Sequence, residues 1–291
     1  MLPRFLLPAS LATLVAACSV LIDVDAKQCK VDADCAALSG APAGAVCMQS
    51  VCVAPQTSSE AGAAGMNGGP SDPLVCETHE TSKADKVKYS FAPIFAPGGE
   101  PEGHDPLPFS IKACEQLDLE CKTPVDGPYD VTVGVAQDFL VPPGFNGYFE
   151  ITNPDTLGGL LYMGRPVIED TVGWNVTMPT PLLVTQLKAI TGEDVNPELG
   201  LILTVARDCA GSPLPGVTAH NTKGGLGYYF VNFLPDTTLT KTGPQGAAGW
   251  ANVPITTTIL SGTHTSGKDF GPVSMRTRPG YMSFAELWPS P

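Results

Sequence analysis

From about Lys83 onward the chain alternates short apolar runs with turns rich in Pro and Gly. Tyr148-Phe149-Glu150-Ile151 and residues 199–205, 227–231 and 255–259 are rich in β-branched and aromatic side chains and are bounded by breakers, which predicts strands. Tyr228 and Tyr229 adjoin within one of these runs, so one of the two rings is expected to face out. Residues 180–190 differ. Thr180 is a good cap, Pro181 suits the first helical position, Leu183, Leu187 and Ile190 fall on one face, and Gly192 ends the short helix. Its expected place is between two β domains or as a lid on one.

Near the start, the apolar stretch 5–15 follows a single cation, Arg4, and ends in Leu14-Val15-Ala16-Ala17-Cys18. A cationic start, a short apolar core and small residues at the cut describe a signal peptide. The run is too short to cross a bilayer permanently, which takes ~20 residues. The closing residues resemble a lipobox, which implies cleavage before Cys18, lipidation of Cys18 and a membrane partner through that lipid. Ser19 stands where an Asp would resemble an inner-membrane retention signal, and similarity to Gram-negative lipoproteins therefore implies the outer membrane of the cell envelope.

Cysteine usage agrees with export. Nine cysteines is an odd count, and lipidation of Cys18 leaves eight. They split into a cluster, Cys29, Cys35, Cys47 and Cys52, and a dispersed set, Cys76, Cys114, Cys121 and Cys209, each even as disulfides require. The cluster lacks the two-residue gaps of a zinc ribbon, so disulfides are expected there, with three connectivities open. In the dispersed set, Cys114 with Cys121 would close a local loop and Cys76 with Cys209 would make a long tie. After Cys52 the Ala, Gly and Ser of residues 54–75 have nothing to pack and read as a flexible linker.

The chain's 31 Gly and 29 Pro exclude a helical bundle and favour an all-β fold. A prior of roughly one domain per ~150 residues suggests two domains. The expected organisation is a signal peptide at 1–17, a lipid-anchored Cys-rich segment at 18–53, the linker at 54–75, a first β-sandwich at 76–178, a helix and connector at 179–198, and a second β-sandwich at 199–291. A faint internal repeat supports two copies: Ile111-Lys112-Ala113-Cys114 parallels Ala206-Arg207-Asp208-Cys209, and Leu140-Val141-Pro142 parallels Asn252-Val253-Pro254.

The phrases Pro215-Gly216-Val217 and Gly249-Trp250-Ala251-Asn252-Val253-Pro254, with the closing run 273–281, resemble the carboxypeptidase regulatory-like, or prealbumin-like, β-sandwich. The resemblance covers residues 199–289 and implies that these phrases mark the start of one strand and the turn before another, with no catalytic role. Pro244-Gln245 replaces an Asp common in that family, and residues 224–243 form an insertion.

The formal charge is −13, and loss of Arg4 with the signal leaves 15 basic against 29 acidic side chains, net −14. The basic residues are scattered singly, which argues against nucleic acid. Candidate chemistry is sparse. His79-Glu80 has Lys83 where a zinc-protease helix needs its second His, and His264-Thr265-Ser266-Gly267 reads as a hairpin loop. Asp23, Asp25, Asp32 and Asp34 lack the Gly and Glu of a calcium loop, so no metal or cofactor is expected. The aromatic residues Trp174, Trp250, Trp288, Tyr148, Tyr228 and Tyr229 could stack on sugars or peptides, with Trp250 expected in the core and Tyr228, Tyr229 and Trp174 the candidates for a ligand surface. The resulting expectation is a non-enzymatic surface lipoprotein that displays β-sandwiches for adhesion, envelope structure or partner binding. Carbohydrate binding is the second reading, and an enzyme or accessory, built from His and acidic residues that converge from afar, is the third.

Overall fold

The computed structural model describes residues 33, 46–48, 51–53, 73–76, 80–96, 100–101, 103–173, 175–231 and 234–291. Cys18, Cys29, Cys35, the linker up to residue 72, His79 and Trp174 lie outside them. The chain divides into two compact units, Met1–Gly69 and Pro70–Pro291. In the first, β1 (Val46–Met48) and β2 (Val51–Val53) pair antiparallel, with the backbone of Cys47 opposite that of Cys52.

The second unit is almost entirely strand. Its elements are β3 (Val87–Phe91), β4 (Pro93–Phe95), β5 (Phe109–Cys114), β6 (Asp126–Val131), β7 (Gln137–Val141), β8 (Tyr148–Thr152), β9 (Gly158–Tyr162), β10 (Thr171–Val172) and β11 (Val176–Met178). After helix α1 (Pro181–Thr191) come β12 (Gly200–Ala206), β13 (Val217–Asn221), β14 (Leu226–Val231), β15 (Leu234–Asp236), β16 (Ala247–Val253), β17 (Thr257–His264), β18 (Asp269–Arg276) and β19 (Tyr281–Leu287). The runs expected at 148–151, 199–205 and 227–231 are β8, β12 and β14; that expected at 255–259 starts two residues later and continues to His264. The insertion 224–243 supplies β14 and β15, which extend a sheet.

Nine strands form one sheet in the order β15-β14-β16-β12-β19-β9-β8-β5-β6. Residues from both expected sandwiches therefore share it. The junction is β19, which runs parallel to β12 on one side and to β9 on the other. The two halves do not repeat each other: β5 lies between β6 and β8, whereas β12 lies between β16 and β19.

Each face of this sheet has its own cover. On one face the strands β10-β3-β7 and the pair β11-β4 enclose Phe91, Phe139, Phe149, Ile151, Leu161, Met178 and Phe284. On the other the sheet β13-β17-β18 encloses Tyr148, Leu160, Ile202, Trp250, Leu260, Phe270 and Leu287. Sheet-on-sheet packing thus occurs twice, as two sandwiches with a shared sheet. The period-two alternation of strand side chains feeds both cores from single strands such as β8.

Helix α1 begins after Thr180, which is extended but makes no side-chain capping bond, and ends at Gly192, in the left-handed conformation, whose N–H donates to the Lys188 carbonyl. Leu187 enters the Phe149 core, with Leu183 and Val184 packed at its margin. The helix is therefore a lid on that face. Ile190, expected on the same stripe, is 43% exposed, while the helix packs on β15, a strand of only three residues.

Candidate ligand cleft

Two disulfides hold the second unit. Cys76 is bonded to Cys209 across 133 residues of chain, and Cys114 to Cys121 across seven. The short loop closed by Cys114–Cys121 carries a buried polar cluster. The Glu150 carboxylate accepts from Arg278 at 3.1 Å and pairs with Lys112 at 3.2 Å, and the Tyr281 hydroxyl reaches it at 3.3 Å. Arg278 also donates to the Tyr148 hydroxyl and to the Leu119 carbonyl, while Tyr148 donates to the Asp118 carbonyl at 2.6 Å. Every charge here has a partner, as buried ions require. Cys114, Cys121 and Glu150 form the one grouping among the described residues close enough to hold a metal ion, but its two sulfurs are spent on each other.

Two of the described histidines, His264 and His104, are held by local partners. His264 accepts at Nδ1 from the Ser266 N–H at 3.1 Å, with the Ser266 hydroxyl at 2.8 Å, so the ring caps its own hairpin turn. His104 pairs with Asp155 at 3.5 Å, and His220 is exposed on β13. The expected ligand surface at Tyr228 and Tyr229 is not formed. Both faces of the sheet are covered, so Tyr228 is 2% exposed in the Phe149 core and Tyr229 is half-buried on the opposite face, its hydroxyl bonded to the Ala219 N–H at 3.1 Å. Trp250 is buried as expected.

One opening among the described residues is a cleft of about 390 Å³, within the size range of small-ligand sites. Its walls come from distant segments: Tyr89 on β3, Gly164 and Arg165 after β9, Gly173 after β10, Arg207 after β12, Gly211 in the following turn, and Glu286 and Trp288 at the end of β19. Pairing of β19 with both β9 and β12 brings these ends together. Gly164 permits the closest approach, since a Cβ there would meet the Glu286 carbonyl at 2.1 Å. The Cys76–Cys209 bridge closes the wall beside Gly211, where the Cys209 N–H donates to the Pro73 carbonyl.

The polar groups of the cleft divide into those paired with each other and those that are not. Arg207 donates to Glu286 at 2.9 Å and to the Gly211 carbonyl at 3.1 Å, which neutralises both side chains. Arg165 has no carboxylate partner among the described residues; its guanidinium carbon lies 3.8 Å from the centre of the Trp288 ring, within cation–π distance. The Tyr89 hydroxyl abuts Gly173, where a Cβ would meet it at 2.3 Å, and it bonds to no described residue. Burial raises the Tyr89 phenol well above its ordinary pKa, Glu286 adds to the rise, and Arg165 and Arg207 oppose it. Tyr89 is therefore a neutral donor at neutral pH.

No family model matches the chain, and no curated protein matches it. Among solved structures it is similar to the Bacillus anthracis TIE protein, at 12% identity and TM-score 0.21 over 71% of this chain and 34% of that one. A streptococcal ancillary pilin gives 12% identity and TM-score 0.22, covering 72% and 64%. A shaft pilin of Lactobacillus rhamnosus GG gives 9% identity and TM-score 0.21, covering 71% and 98%. The chain thus spans 34% of the first and 64% of the second. Likenesses at these scores are too slight to carry a functional reading.

Proposed function

We propose that the chain is a non-enzymatic, lipid-anchored surface protein that carries its β unit on the linker at residues 54–75 and binds a partner through the Arg165 cleft. The observation that carries this reading is a cleft that brings together an exposed cation with no carboxylate partner and a phenol hydroxyl with no bonded acceptor among the described residues. Buried hydroxyls ordinarily find partners, so a donor left open at a concave site is a place where a ligand gains more than water offers. The address rests on the lipobox-like residues ending in Cys18, on the disulfides and on the resemblance to Gram-negative lipoproteins, which together favour the outer membrane. Among the described residues no helix is long and apolar enough to cross a membrane. The second half is read as the carboxypeptidase regulatory-like type because Gly216 leads directly into β13 and Val253-Pro254 closes β16 before β17.

Intact mass and peptide mapping of protein taken from its native membrane, with and without reduction, test the address. The expected result is a mature chain that begins at an acylated Cys18 and holds eight oxidised thiols; an unmodified Cys18 or free thiols would sink it. For the binding role, saturable binding of the purified protein to cell-envelope material should fall on Arg165→Ala. Unchanged binding would remove the cleft from the function.

A further inference from the structure

We infer that the Arg165 cleft recognises a single carboxylate group, the free acid end of a peptide or of a small organic acid. This rests on the reading of the cleft as a binding site and specifies what that site takes. Arg207 and Glu286 cancel, so among the described residues the cleft presents one net cation, Arg165. Its guanidinium carbon lies 3.8 Å from the centre of the Trp288 ring, which anchors the donor fork without neutralising its charge. A planar fork of this kind matches the two oxygens of a carboxylate. Tyr89 adds an O–H donor from the buried side. Both open groups donate, so the complementary ligand is rich in acceptors. A polyanion is disfavoured by the chain's own charge of −13, which repels a string of negative groups while one carboxylate meets a local cation.

The test uses the purified full-length protein and follows the indole N–H resonance of Trp288, assigned with a Trp288→Phe variant, during titration at low salt. The probes are acetate, an N-acetylated alanine peptide with a free C-terminus, the same peptide as its C-terminal amide, and inorganic phosphate. The free-acid peptide should shift the Trp288 resonance saturably and the amide should not. If acetate matches the acid peptide, the source is a small acid; if the peptide binds more tightly, the source is a peptide end. Both results support a carboxylate site. Arg165→Gln should weaken binding by about tenfold or more and Tyr89→Phe by several-fold, since each removes a donor to a charged acceptor. Arg165 is exposed and Tyr89→Phe keeps the buried ring, so both variants retain the fold. Lys223→Gln, on a distant turn, should bind like the parent. Equal binding of acid and amide at Trp288 would overturn the carboxylate while leaving the cleft a binding site. Tighter binding of phosphate than of the acids, or no shift with any carboxylate, would also overturn it.

Discussion

Phe149 and Glu150 are neighbours on β8, both buried, and they point into different surroundings. Phe149 meets Phe139 at 4.9 Å and Phe91 at 5.1 Å between ring centres, in a core built of rings from β3, β7 and β8. Glu150 meets Arg278, Lys112 and Tyr281 under the Cys114–Cys121 loop. The first face is stabilised by removing apolar area from water, a non-directional effect. On the second, a loss of solvation is offset by particular hydrogen bonds, which specify one arrangement. One strand thus carries a tolerant side and an exacting side.

The difference can be measured by denaturant unfolding. Phe149→Ala should have the largest effect, about 3 to 5 kcal/mol, from lost transfer energy and the cavity left behind. Glu150→Gln should cost about 2 to 3 kcal/mol, because the partly buried Arg278 loses its counter-charge. The contrast sharpens in the double variant Glu150→Met with Arg278→Met, which should recover at least half of that loss. If it is as unstable as the sum of the two single changes, the cluster is not a coupled unit. Replacing Cys114 and Cys121 together with Ser should cost about 2 kcal/mol, as the loop that presents the Leu119 carbonyl is released.

A pH series probes the Glu150 side more gently, with one substitution isolating its share. Tyr148 is raised from its ordinary 10.0 to about 12, mainly by burial, with Arg278 opposing. Between those values the folded chain keeps a proton that the unfolded chain gives up. Stability should therefore be whole below pH 10 and decline as pH rises toward 12. Tyr148→Phe should flatten part of that decline. The smallest effect belongs to neither face: His104→Ala, which removes a half-exposed pairing with Asp155, should change stability by under ~0.5 kcal/mol.

Local signals were legible where they are local. The β-branched and aromatic runs mark β8, β12 and β14, and Thr180, Pro181 and Gly192 bracket α1. What could not be read is the pairing of β19 with β9 and β12, because parallel partners carry no turn between them to announce the register. That pairing makes the one sheet whose faces are then covered by β10-β3-β7 with β11-β4 and by β13-β17-β18, and so reverses the expectation for Tyr228 and Tyr229. It also assembles the cleft, whose Arg165, Arg207 and Trp288 belong to three segments and look in sequence like scattered single residues. Trp288 was legible as a candidate ring; nothing beside it in the chain hints at the guanidinium 3.8 Å away.

The position of β19 has a consequence in time. Every other strand of the nine precedes it in the chain, yet it occupies the middle of their sheet. As the polypeptide emerges, in synthesis or across a membrane, β9 and β12 must wait with unpaired edges, and the two blocks they border cannot join until residues 281–287 arrive. Such edges recruit other strands. The two blocks can form early, but the common sheet closes only when the last strand of the chain arrives.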